Sequence, residues 1–179
     1  MISGAGRRWV SSVQTTMTAE ETAQLVKSKQ VSATEVVQAA LSRMDSVEEK
    51  IHAFCTPGHD LAMEMAASVD AKISRGEDPG VLAGVPIGVK DLVSTKRLAT
   101  CMGSNIYKGF VPEEDDVVVE RIVEAGAVIL GKTNVPEMGY SGVGHSPAFE
   151  TTRYPWILDM TPGGSSAGSG WPHAVSRAK

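Results

Sequence analysis

A chain of 179 residues is one ordinary domain in size, and its 42% hydrophobic and 21% charged residues fit a soluble globular fold. No apolar run approaches the roughly 18 residues of a membrane span, and a formal net charge of −4 argues against a sequence-independent nucleic-acid binder, which needs clustered Lys and Arg. Cys55 and Cys101 lie in no metal or redox spacing, and His52, His59, His145 and His173 form no ligand cluster, so reduced thiols and no metal site are expected.

Residues 1–16 differ from the rest, with Arg7 and Arg8, four Ser or Thr among the last six, and no acid. Without those two arginines the remainder carries 15 basic (17 − 2) against 21 acidic groups, or −6. The stretch reads as a disordered or transit-like extension: either an organelle transit peptide or an over-extended start upstream of Met17. A cytoplasmic location is expected, with organelle targeting through residues 1–16 as the alternative. From Met17 the chain turns to amphipathic helices. Thr18-Ala-Glu-Glu21 and Ser32-Ala-Thr-Glu35 are capping boxes, a hydroxyl followed three residues later by a Glu that reaches back to the cap N–H. The second opens a helix with Val36, Val37, Ala40, Leu41 and Met44 on one stripe. A third stretch, 61–74, repeats the stripe with Leu61, Met65, Val69 and Ile73, and Gly76 supplies its stop.

Past Pro79 the texture changes. The run 81–93 (VLAGVPIGVKDLV) predicts a buried strand over 86–90. Asp115 or Asp116 caps a helix through Glu124, Gly126 ends it, and 127–130 is a second strand, so an α/β sheet covered on both faces is expected. After Val135 the chain is loop-like, with seven glycines between Gly139 and Gly170 but only two acids, Glu150 and Asp159. Long Gly-rich loops on a rigid scaffold are where function usually sits.

Three constellations invite a chemical reading. Residues 126–133 (GAVILGKT) satisfy the Walker A pattern G-x-x-x-x-G-K-[ST] letter for letter. That mechanism needs a flexible loop wrapping phosphates and then a helix, whereas Ala-Val-Ile-Leu reads as strand and Pro136 follows where the helix should run. A nucleotide-binding or non-catalytic module built on this segment is kept as the rival of a different class. Gly164-Ser-Ser166-Ala-Gly168 is a G-x-S-x-G that would make Ser166 a hydrolase nucleophile, but no Asp or Glu follows it and only His173 does. By composition the run 163–170 could also be a flexible linker, but Pro155, Trp156 and Pro162 just before it argue for a held loop. Finally, Lys90 ends the apolar run GVPIGVKD. It is either a strand-end charge beside its own Asp91 or a buried amine usable as a general base.

Together these segments resemble the amidase signature family, whose members use a Ser–cis-Ser–Lys triad. The resemblance runs from about Thr18 to Gly170. It rests on the helical start, GVPIGVKD, AGAVILGKTNVPE, Arg153-Tyr-Pro-Trp156 and TPGGSSAGSG, in that order. It implies an amidase-signature-type mixed sheet with helices on both faces, incomplete in this chain, and hydrolysis of a carbon–nitrogen bond in a small carboxamide without cofactor. Residue by residue, it implies that Lys90 is the catalytic lysine and Ser165 the bridging serine on a cis peptide bond. Ser166, Gly163 and Gly164 are implied as the supporting loop, and Gly139 with Tyr140 as part of the substrate-side wall. The implied chemistry is attack on an amide carbonyl by a second, downstream serine. Ser165 relays its proton to neutral Lys90, and backbone N–H groups hold the oxyanion.

That nucleophilic serine should sit in a G-G-S turn after a helix and a strand beyond Ser165. Only 14 residues (179 − 165) follow, fewer than those elements need, and WPHAVSRAK at 171–179 departs from the family's small-residue helix. Residues 17–170 are therefore read as the N-terminal part of an amidase domain and 171–179 as an aberrant tail. Such a chain is expected to be inactive, with an open apolar strand edge and a GGSS loop that is mobile or trans. A small amide substrate is expected, with no direct nucleic-acid partner, no membrane, and homo-oligomerisation left open. The A subunit of a glutamyl-tRNA amidotransferase, which needs partner subunits, is the alternative within the family; SSAGSG in place of SSGGSA leans towards a stand-alone amidase.

Overall fold

The computed structural model describes residues 17–170; the expected extension at 1–16 and tail at 171–179 lie outside the described residues. Helix α1 (Ala19–Lys27) and helix α2 (Ala33–Ile51) both begin on complete capping boxes, Thr18 with Glu21 and Ser32 with Glu35. Helix α3 (His59–Ser74) has no side-chain cap, and Gly76 follows it at φ +75, as its stop position requires. One acid locks these two longer helices together. Asp70 of α3 accepts the Ala33 N–H at 2.7 Å, the Thr34 N–H at 3.0 Å and the Thr34 hydroxyl at 2.6 Å. It thereby serves the first-turn donors of α2 that no intrahelical carbonyl can reach.

Three strands form one mixed sheet in the order β1–β3–β2. Strand β1 (Phe54–Pro57) runs antiparallel to β3 (Val128–Thr133), and β2 (Pro86–Lys90) runs parallel to it. All six residues of β3 are buried. Val128 and Leu130 pack with Phe54 and the apolar faces of α2 and α3. Ile129, Val89, Leu98 and Leu61 form the second cluster with Val119 and Ile122 of α4 (Val117–Glu124). The sheet is thus covered on both faces, as expected.

Four details differ from the sequence reading. Strand β1 is not anticipated, because four residues squeezed between two helices show no period. Strand β2 has the expected bounds but is not buried throughout; Val89 alone is, since β2 lies at the sheet edge. Among the described residues no further strand pairs with its outer side. Strand β3 runs three residues further than expected, through Gly131 and Lys132 to Thr133. Asp116 stands at the N-cap of α4 but makes no cap bond, because its carboxylate accepts the Ser94 N–H at 2.6 Å instead. Among the described residues no helix is long and apolar enough to cross a membrane.

Candidate active site

The β2–β3 ladder aims the lysine. Lys90 pairs with Thr133 at the C-terminal end of both strands, and Gly88 lies on the same face two residues earlier. A Cβ on Gly88 would come within 2.6 Å of Thr133 Cγ2, so only glycine leaves that side chain its place. From this strand end the Lys90 amine donates to the Ser165 hydroxyl at 2.8 Å. Lys90 is partly exposed rather than buried, a correction that follows from its position at the sheet edge. The neighbouring Asp91 is no surface counter-ion. It is fully buried, and its carboxylate accepts the Cys101 and Gly103 N–H groups at 3.1 and 3.2 Å. Burial pushes the Asp91 carboxyl up, opposed by those two N–H groups and by the Lys132 charge.

The serine arrives on a loop held at several points. The Gly164–Ser165 peptide bond is cis, and Gly163 has φ +90. Gly168 donates its N–H to the Asn134 carbonyl at 2.9 Å and lies so close to Ala53 that an added Cβ would meet its carbonyl oxygen at 2.1 Å. The Ser169 and Thr133 hydroxyls share a hydrogen bond of 2.8 Å. Gly164 sits against the backbone of residues 141–143, where a Cβ would be 2.9 Å from the Ser141 oxygen. The Gly164–Ser165 bond is thus not trans, and the contacts of a held loop come from residues within this chain.

Ser166 is exposed, and its carbonyl accepts from Ser169 and Gly170 at 3.1 and 3.2 Å. It lies between irregular chain and a three-residue 3-10 turn, Gly168–Gly170, so among the described residues no strand leads into it as a nucleophile elbow requires. Gly139 has φ +66 and lies beside the site: its Cβ would stand 3.8 Å from Ser165 Cβ and 2.5 Å from Leu92 Cδ1. Tyr140 is 96% exposed.

The Walker-like segment is structural, which corrects the rival nucleotide-binding reading. Gly126 (φ +91) ends α4, with the Pro79 carbonyl where a Cβ would go. The register with β2 slips at Leu130, and at Gly131 beside it a Cβ would lie 2.6 Å from the Thr56 oxygen. Lys132 is fully buried, and its amine donates to the Val93 carbonyl and to Thr100 Oγ1 at 2.6 Å. No helix opens at Lys132–Thr133; the chain passes to Pro136 and one 3-10 turn, Glu137–Gly139. Burial pushes the Lys132 amine down, with Asp91 the chief opposing influence. Cys55 and Cys101 are free thiols, and burial pushes the Cys55 thiol up.

Sequence reasoning missed Thr133, Asn134, Gly168 and Ser169 as parts of the site's frame. Asn134 is buried and donates to the Glu150 carbonyl and Thr152 Oγ1 at 2.8 and 3.1 Å, tying the loop region to the strand end. The available signal was their adjacency to GKT and GGSS, the two runs already singled out.

The Amidase family model matches residues 35–176. The A subunit of glutamyl-tRNA(Gln) amidotransferase from Carboxydothermus hydrogenoformans is 44% identical over 162 residues, which are 90% of this chain and 33% of the relative. The solved peptide amidase of Stenotrophomonas maltophilia superimposes with a TM-score of 0.79 at 31% identity, covering 84% of this chain and 32% of that one. A 6-aminohexanoate cyclic dimer hydrolase gives 0.79 at 33% identity, over 89% and 32%. The chain spans about a third of the length of the curated relatives it matches. By sequence model and by fold, the chain belongs to the amidase family.

Proposed function

We propose that residues 17–170 are the N-terminal part of an amidase domain in which Lys90 and Ser165 are two members of a Ser–cis-Ser–Lys triad. The observation that carries this is the 2.8 Å hydrogen bond between the Lys90 amine and the Ser165 hydroxyl, made across 75 positions of sequence. A hydroxyl in that contact can take a proton from an attacking serine while passing its own to a neutral amine. The attacking serine is assigned to a G-G-S turn downstream of this chain, in keeping with its span of about a third of its relatives. On that assignment the 179-residue chain alone does not turn over an amide. Ser166, Gly163 and Gly164 shape the loop, and Gly139 and Tyr140 border the substrate.

The relatives support a glutamyl-tRNA amidotransferase subunit better than a stand-alone amidase as the parent protein, since those compared at 41–44% identity carry that name. The substrate is then a carboxamide whose nitrogen is released as ammonia, and the protein works with partner subunits. The SSAGSG run and the likeness to a peptide amidase favour the stand-alone reading, which stays second.

A chimera separates them. Residues 17–170 replace the matching segment of the Carboxydothermus relative, and ammonia release is measured from glutamine and from small carboxamides, with and without that relative's partner subunits. Release that requires the partners supports the amidotransferase reading, and release from simple carboxamides without them supports the stand-alone amidase. No release from a folded chimera, while the parent relative stays active, would overturn both.

A further inference from the structure

We propose that Lys132 and Asp91 are positioning residues for Lys90: a buried cation and a buried carboxylate that fix the turn 90–93 and so aim the Lys90 amine at Ser165. This inference rests on the amidase reading above. Lys132 reaches the turn from the neighbouring strand, where it pairs with Val89. Its amine donates to the Val93 carbonyl, and Val93 in turn donates its N–H to the Lys90 carbonyl at 2.9 Å. The Lys132 ammonium and the Lys90 peptide are thus two ends of one short turn. Asp91 fixes the middle. Its N–H donates to the Thr133 carbonyl at 3.0 Å, its carbonyl accepts from Met102 at 3.2 Å, and its carboxylate holds the Cys101 and Gly103 N–H groups.

A buried lysine and a buried aspartate are costly where an apolar side chain of like volume would pack as well. Both side chains are spent on the turn or on the irregular segment 100–103 that backs it. Leu92, inside the same turn, lies against Gly139, so the turn also supports the chain beside Ser165. The lysine of the Walker-like segment thereby gains a task that its sequence context disguises.

Competitive acetylation of the 179-residue chain, resolved residue by residue by mass spectrometry, tests this. The readout is the labelling rate of Lys90 relative to exposed Lys27. Lys132→Met should change that ratio by about threefold or more, the effect expected of freeing a group held by one net hydrogen bond. Met44→Ala, a core truncation remote from the turn, should lower the melting temperature and leave the ratio unchanged. An unchanged ratio in folded Lys132→Met, or an equal change in Met44→Ala, would overturn the inference. If Lys132→Met does not fold, Thr100→Val, which removes one acceptor from the Lys132 amine, decides in the same way. Ser165→Ala reads the other proposal separately: if it leaves Lys90 unchanged, the Lys90–Ser165 dyad fails, whatever Lys132→Met does.

Discussion

Replacing Glu48 with Gln should remove a loss of stability that the native chain suffers as the pH rises towards neutrality. Glu48 lies near the end of α2; its Oε1 accepts the Phe54 N–H at 2.8 Å, and its Oε2 is buried with no hydrogen-bond partner. Burial is the largest influence and pushes the carboxyl from its ordinary 4.5 up to about 7, opposed by the Phe54 and Ala53 N–H groups and aided by Asp45. The folded state therefore keeps its proton across a window, from about 4.5 to 7, in which the unfolded chain has released it. Stability is greatest below that window and falls as the pH rises through it, the reverse of a salt-bridged carboxylate. At about 1.36 kcal/mol per pH unit the span gives roughly 3 kcal/mol as an upper bound. Glu48 is only half-buried, so solvent screening reduces this to about 1–2 kcal/mol. Urea unfolding at about pH 5 and pH 8 reads the difference directly, with an unchanged slope confirming comparable transitions. Glu48→Gln should abolish most of the fall, and a mutant curve parallel to the native one across the window would refute the reasoning. The segment at stake matters for the site, because the Ala53 and His52 carbonyls accept from Asn134 and Thr152.

Three further outcomes are expected. Gly131→Ala puts a Cβ 2.6 Å from the Thr56 oxygen at φ +155 and should cost about 2–4 kcal/mol in urea unfolding; a loss below about 0.5 kcal/mol would show that the bulge relaxes freely. Asp70→Ala removes the acceptor of three hydrogen bonds at the start of α2 and should lower stability by about 2–4 kcal/mol, seen as faster amide exchange at Ala33 and Thr34. Exchange there at the native rate would contradict it. Titration with Mg-ATP should release no heat at micromolar concentrations, and binding that disappears in Lys132→Ala would reinstate the phosphate-loop reading.

The helices and the bounds of β2 were legible because capping boxes, periodic apolar stripes and Gly76 are local signals, and the structure uses them as written. Strand β1 was not, since Phe54–Pro57 owes its state to pairing with residues 131–133, far away in sequence. The same limit hid Lys132. Its letters fit a phosphate loop, and only the fold reveals that Gly131 lies in a strand beside a bulge at Leu130 and that the amine turns inward to Val93 and Thr100. Lys90 and Ser165 were found through family resemblance, whereas the residues that hold them, Asn134, Gly168 and Ser169, act through close backbone approach and long-range hydrogen bonds that no spacing rule encodes. The trans expectation for the GGSS loop failed because it placed the supports downstream, while Thr133, Asn134 and the backbone of 141–143 supply them within the chain.

The central claim is that Lys90 and Ser165 work as one proton-relay unit in amide hydrolysis. Its most direct measurement is the steady-state rate of ammonia release by the chimera carrying residues 17–170, with Lys90→Ala, Ser165→Ala and the double substitution. Residues that act as a unit are strongly non-additive. Each single change should therefore lower kcat by about 10³-fold or more, and the double little further, with melting temperatures preserved. Single substitutions that each leave kcat within about tenfold of the parent chimera, or whose losses simply multiply in the double, would contradict the account.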